Sequence, residues 1–170
     1  MQVSLEAVQI EKAVDTEVIF GQGTFNLLGI EELHRAVAVG APKAEFGAAF
    51  CEASDNRLVR TTGNSSQLID QARSNVQIIG AGHSFLVLLR GAYPIQVLSN
   101  IRNLSTTVTV IGATGNECYA IVARLPQGNA LLGIVDGSPP ARPETIAERR
   151  RRQETVRRIG YLEDIEKMGG

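Results

Sequence analysis

A histidine directly behind a glycine pair, Gly80-Ala81-Gly82-His83, stands at the entrance to the strongest apolar run in the chain, Ser84 to Leu89. Glycine lets the backbone take positive φ and approach a ligand closely, and a strand end can hold an imidazole at the rim of a sheet. That arrangement suits a nucleophilic or acid/base histidine, although a packed histidine behind a helix C-cap fits the same four residues. Phe50-Cys51-Glu52-Ala53-Ser54 puts a carboxylate and a hydroxyl two residues apart on a strand leaving the core. At that spacing Glu52 and Ser54 share a face and can approach one ligand or a metal-bound phosphate; a plain strand edge before a hairpin gives the same pattern. Ala113-Thr114-Gly115-Asn116 and Val135-Asp136-Gly137-Ser138 both follow apolar strands. Such loops can offer amides, a hydroxyl and an acidic metal ligand to a nucleotide, yet one at a time they read as turns. There is no GxxxxGK[ST], and no GxGxxG opens a helix.

The elements that position these residues follow from periodicity. Alternation over the first ten residues predicts a half-buried strand, and Val18 to Phe20 a second one ended by Gly21 and Gly23. Ile30, Leu33, Val37 and Ala41 keep helical spacing behind Glu31 and Glu32, and Pro42 ends that helix. Glu45 to Ala53 reads as a central strand covered on both faces, with Arg57 to Thr61 as its hairpin partner. Leu68, Ile69, Ala72 and Val76 predict a helix over 64–79, with Asn64, Ser65 and Ser66 as caps. After the buried strand Ser84 to Leu89, Pro94 opens a helix carrying Ile95, Leu98 and Ile101. Thr107 to Ile111, Tyr119 to Leu125 and Ala130 to Val135 complete the strands, and the turns between them make at least part of the sheet antiparallel. The expectation is an α/β fold in one domain over 1–170: a mixed sheet packed with helices over 1–137, then a helical extension over 138–170.

Composition limits the function. The 170 residues are 44% hydrophobic and 21% charged, enough for one core, and the net charge of -1 supplies no basic field for nucleic acid or anionic lipid. The longest strongly apolar stretch, Phe85 to Leu89, is far below the roughly 18 residues of a membrane span. The first fifteen residues lack a secretion-signal pattern, so a cytoplasmic protein without nucleic-acid or membrane partners is expected. Cys51 and Cys118 lie far apart in apolar runs and read as packed thiols. His34, beside the apolar stripe of its helix, reads as a boundary residue. Residues 142–170 hold eight of the 17 basic and six of the 18 acidic residues. The run Arg149 to Arg152 would spread around a helix from about Pro143 to about Ile159 and pair with Glu144, Glu148 and Glu154.

Taken together, FCEASDNRLVR, AGHSF, YPIQVL with IRN, ATGN and GIVDG stand in the order and spacing of the adenosine-specific kinase family, which the chain resembles from about Gly21 to about Tyr161. The resemblance implies a compact α/β protein that forms a homotrimer, binds adenosine, AMP, ADP or ATP, and carries phosphate on a histidine. His83 matches the histidine of the AGH block and becomes the expected phosphohistidine. Glu52 and Ser54 match the CEAS block, Asn103 the asparagine behind the Pro94 helix, Thr114 and Asn116 the AT-x-N turn, and Asp136 with Gly137 the VDG turn.

On that resemblance we assign expected roles. His83 attacks the γ-phosphoryl group of ATP and passes it to a second acceptor, with Mg²⁺ as the neutralising ion. Glu52 or Asp136 holds Mg²⁺ or orients His83. Amides from Gly80 to Gly82 and the side chain of Arg60 or Arg90 contact phosphate, while Asn103, Thr114 and Asn116 contact the nucleoside. Two other classes fit the same residues: an adenosine-nucleotide-binding or sensing module without turnover, and a partner-binding protein acting through its charged C-terminal helix.

Overall fold

Among residues 2–24 and 29–158, which the computed structural model describes, the order is β1 (Ser4–Gln9), β2 (Thr16–Gly23), α1 (Gly29–Gly40), β3 (Glu45–Cys51), β4 (Val59–Gly63), α2 (Ser66–Ile79), β5 (Ser84–Arg90), α3 (Pro94–Arg102), β6 (Thr107–Thr114), β7 (Cys118–Leu125), β8 (Gly128–Asp136) and α4 (Ile146–Arg158). The α/β class is as expected, and its strands divide between two antiparallel sheets. A five-stranded sheet has the order β4-β3-β5-β2-β6, and a three-stranded sheet the order β1-β7-β8. The GATGNE turn therefore joins strands of different sheets.

The unbroken apolar runs are explained by what covers the larger sheet. On one face Ile19, Phe46, Ala48, Phe50, Phe85, Val87 and Leu89 pack against Leu33 and Val37 of α1 and Val97 and Ile101 of α3. On the other, Val18, Phe20, Ala49, Cys51, Leu86 and Leu88 meet Leu68, Ala72 and Val76 of α2 and Val8, Cys118, Ala120 and Val122 of the smaller sheet. Alternating side chains of β3 and β5 are thus buried on both faces, which removes the in/out pattern of a surface strand.

Helix ends follow local chemistry. Pro94 occupies the first turn of α3, and Gly80, at φ 62°, caps α2 by donating its N–H to the Val76 carbonyl. Asn64 does not cap α2. Its side chain accepts from Phe46 N–H at 2.7 Å and donates to the Ala44 carbonyl at 2.9 Å, tying the helix entry to β3. Both cysteines are free and buried, and burial raises both thiol pKa values, that of Cys118 to about 11. His34 bonds the Thr62 hydroxyl through Nδ1 at 2.7 Å and meets Phe46 edge-on.

The chain divides into compact units Met1–Gly137 and Ser138–Gly170. In the second, Thr145 forms the helix entry: its carbonyl takes the N–H of Arg149, and Glu148 accepts from Thr145 N–H at 2.8 Å. The helix thus starts at Ile146 rather than Pro143, and Ile159 lies outside the described residues. Arg142 pairs with Glu148, and Arg149 and Arg152 pair with Glu144.

Candidate functional site

β3 and β5 run antiparallel with Phe50 opposite Phe85, and β4 sets Arg60 opposite Phe50. His83 therefore arrives at the end of the sheet where β3 finishes and β4 begins. Its backbone is left-handed, at φ 58°, a region uncommon outside glycine that histidine, asparagine and aspartate enter more readily than other side chains. Neighbouring strands hold it there: His83 N–H donates to the Cys51 carbonyl at 2.8 Å, and the His83 carbonyl accepts from Gly23 N–H at 2.8 Å. The imidazole lies nearly parallel to the Phe50 ring, with centroids 5.8 Å apart and planes at 12°. Gly82 is required by packing, since a Cβ there would stand 2.8 Å from that of Ala53.

Glu52 sits beside this centre and is fully engaged. One carboxylate oxygen accepts from Arg60 Nε at 2.7 Å and forms an ion pair with the Arg60 Nη2 group; the other accepts from Leu58 N–H at 3.1 Å. The Leu58 amide first and Arg60 second lower the pKa of the Glu52 carboxyl. β3 stops at Cys51, so the alternation expected to set Ser54 beside Glu52 does not reach it. Ser54 is exposed in a turn, and its carbonyl takes Arg57 N–H at 3.0 Å. The Gly80 N–H is committed to the α2 cap, which removes it from the expected phosphate donors. Asn103 follows α3 and, with Glu32, Arg35 and Asn100, lines a groove of about 510 Å³ between α1 and α3.

The remaining expected residues lie at the other end of the sheet. Thr16 and Glu45 pair with Arg90, and Val18 with Thr114, marking that end. Thr114 Oγ1 donates to Asp136 Oδ1 at 2.7 Å and accepts from Asn116 N–H at 3.0 Å; Asn116 Nδ2 also donates to Asp136 Oδ1, at 2.9 Å. Gly137 donates to the Glu117 carbonyl, and Arg90 pairs with Asp15 and Glu45. Six residue steps of β5 separate the two ends, about 20 Å at the rise of an extended strand.

The family model described as adenosine specific kinase matches residues 8–162. The chain belongs to that family. No curated protein matches it. Among solved structures, the PH1918 protein from Pyrococcus horikoshii OT3 is 40% identical, covers 96% of this chain and 100% of its own, and superposes with a TM-score of 0.89.

For an adenosine specific kinase family member, the geometry redistributes the expected roles. Glu52, Arg60 and His83 are together, whereas Arg90, Thr114, Asn116, Asp136 and Gly137 form a separate cluster. Glu52 and Asp136 therefore do not converge within one chain, and no group of three or more His, Cys, Asp or Glu side chains among the described residues is arranged to hold a metal. Both oxygens of Glu52 are taken by N–H donors, so these residues do not fit a resident Mg²⁺ site. Sequence reasoning passed over Phe50, read only as core, which the structure stacks on the His83 ring. Phe50 is missed because a buried aromatic on a central strand looks the same whether or not it supports a functional ring. No helix among the described residues is long and apolar enough to cross a membrane.

Proposed function

We propose that this member of the adenosine specific kinase family is a phosphotransferase that moves phosphate from ATP to adenosine through a phosphohistidine at His83. The observation that supports the reading most is His83 itself, held in left-handed backbone by two flanking strands, stacked on Phe50 and set beside the Glu52–Arg60 pair. Such strain persists where surrounding structure fixes it, and it clusters at functional sites.

In the first half-reaction a ring nitrogen of neutral His83 attacks the γ-phosphorus of ATP. An N–P bond forms, the bond to the bridging oxygen breaks, and ADP leaves. In the second, the 5′-hydroxyl of adenosine attacks the same phosphorus, the N–P bond breaks, the hydroxyl proton passes to solvent or to a base, and AMP forms. Mg²⁺ enters as the counter-ion of the ATP phosphates, consistent with its habit of keeping substrate oxygens and water as ligands. Thr114, Asn116 and Asp136 serve the site from a neighbouring copy in a homotrimer, because within one chain they are too far from His83. The exposure of Leu5 and Leu132, 70% and 57%, supports an apolar contact between copies.

The test is intact-mass and phosphosite mapping of wild type and His83→Ala after incubation with ATP and Mg²⁺, with and without adenosine, at neutral or alkaline pH. A phosphoryl adduct on His83 that discharges into AMP when adenosine is added is the expected result. No adduct and no AMP would leave a nucleotide-binding module in which His83 is a contact. Sedimentation of the native protein checks the trimer.

A further inference from the structure

The net charge of -1 is a sum of opposed segments. Residues 1–137 carry nine basic and twelve acidic side chains, residues 138–158 seven arginines and three glutamates, and residues 159–170 one lysine and three acids. The segment that contains α4 therefore holds a net +4, which an average over the whole chain conceals. The expectation of no nucleic-acid partner rested on that average.

Ion pairing sorts these arginines into two sets. Arg142 pairs with Glu148, and Arg149 and Arg152 pair with Glu144. Arg150, Arg151, Arg157 and Arg158 pair with no carboxylate among the described residues, and Glu154, expected to pair with this run, makes no ion pair there either. At the turn and rise of an α-helix, the four unpaired arginines fall within an arc of about 120° and along about 12 Å of axis. Arg149 and Arg152 lie on the opposite side. All four are exposed, and no side chain of α4 is buried.

The chemistry of this face selects among polyanions. A helix lying on a lipid surface needs an apolar stripe. In α4 the positions between Ile146 and Val156 on their shared side are Arg149, Arg150 and Gln153, so no stripe forms. The centre of a protein interface is depleted of charge and anchored by aromatic or aliphatic side chains. No aromatic or large aliphatic side chain stands among the four arginines. A row of guanidinium groups suits a regular phosphate backbone, and guanidinium also stacks on unpaired bases, which single-stranded RNA exposes and a duplex does not.

We propose that the face of α4 formed by Arg150, Arg151, Arg157 and Arg158 is a docking surface for single-stranded RNA, held through its phosphates without sequence selection. The inference stands apart from the phosphotransferase reading, and the probe keeps them apart: a uridylate oligomer offers no adenosine to the His83 site.

The experiment is fluorescence anisotropy of a labelled uridylate oligomer of about 20 nucleotides titrated with the full chain at about 50 and about 200 mM salt. Four proteins are compared: wild type, the four face arginines changed to Gln, the same four changed to Lys, and a charge-matched control with Arg35, Lys43, Arg73 and Arg102, all exposed in the 1–137 unit, changed to Gln. Glutamine matches arginine in helix propensity, so the face variant is expected to keep the helical circular dichroism of wild type. Wild-type affinity is expected to fall about fiftyfold between the two salt concentrations, the loss for four phosphates neutralised on a single strand. The face Gln variant should lose at least tenfold at the lower salt, together with most of that salt dependence. The Lys variant should keep the salt dependence, and does so even if the Gln variant loses helix, while the control stays near wild type. No RNA binding by wild type, or equal weakening by the face and control variants, overturns the proposal. Tighter binding to duplex DNA, to phosphatidylserine vesicles or to polyglutamate than to the oligomer overturns it in favour of that partner.

Discussion

At the His83 end of the five-stranded sheet, side chains other than glycine are held in left-handed backbone; at the Asp136 end, positive φ falls on Gly91 and Gly137. Asp55, Arg57 and His83 take this conformation, and all three follow or face the end of β3. The polar groups of the Asp136 end instead bond to one another, through Thr114, Asn116 and Asp136. Those bonds join the last residue of β6 in the larger sheet to the last residue of β8 in the smaller one. One end holds polar side chains in place against their backbone preference; the other uses them to fasten two sheets. Matching both sets to family blocks therefore does not bring them together within one chain.

The sharpest way to break this comparison is to disable each end separately. His83→Asn, which tolerates left-handed backbone, is expected to lose the phosphoryl adduct altogether while keeping the wild-type fold by circular dichroism. Asp136→Ala is expected to lose AMP formation. Co-refolding equal amounts of His83→Asn and Asp136→Ala should restore about a quarter of wild-type activity if each site takes one residue from each of two copies, since half the copies carry each intact residue. No recovery would place both functions within one chain and contradict the 20 Å separation of the ends, about six steps of β5.

Next in size is the ring stack. Phe50→Leu and Phe85→Leu remove similar apolar volume from opposed positions of β3 and β5, and each is expected to cost about 1–2 kcal/mol of stability in urea titration. Of the two, Phe50 is the one that lies against the imidazole, at 5.8 Å. Phe50→Leu should therefore slow His83 phosphorylation about tenfold, a loss comparable to other misplacements of a reacting group, while Phe85→Leu leaves it near wild type. Equal slowing by both would make the stack mere packing.

What the residues disclosed in advance, and what they hid, follows the same division. The runs Glu45 to Ala53 and Ser84 to Leu89 revealed buried central strands because burial on both faces leaves no polar position to mislead. Leu68, Ala72 and Val76 disclosed α2 by spacing alone. Direction was not legible. Periodicity says that Thr107 to Ile111 is a strand but not that α3 first carries the chain back to the His83 end, so that β6 delivers Thr114 to the far one. The split into two sheets was equally hidden, because β6, β7 and β8 have similar half-buried patterns and a turn such as GATGNE can join strands of one sheet or of two.

Smaller effects separate fastening from function. Thr114 is buried, and Thr114→Val removes its bonds to Asp136 and Asn116 at nearly constant volume. The expected loss is about 1 kcal/mol, read from the urea midpoint, with AMP formation reduced less than by Asp136→Ala. The least effect belongs to Glu52. Its pKa in the folded chain is lowered from the ordinary 4.5 by the Leu58 amide and by Arg60, so the unfolded chain binds the proton more readily. Its contribution is therefore complete above that ordinary value and lost as pH falls through the lower folded one. Glu52→Gln should melt below wild type at pH 7, and the gap should close as pH falls below about 4.5, where the native carboxylate takes up its proton. A gap that stays constant down to pH 2 would mean that the side chain acts by shape and neutral hydrogen bonds, and that Arg60 is held without its charge.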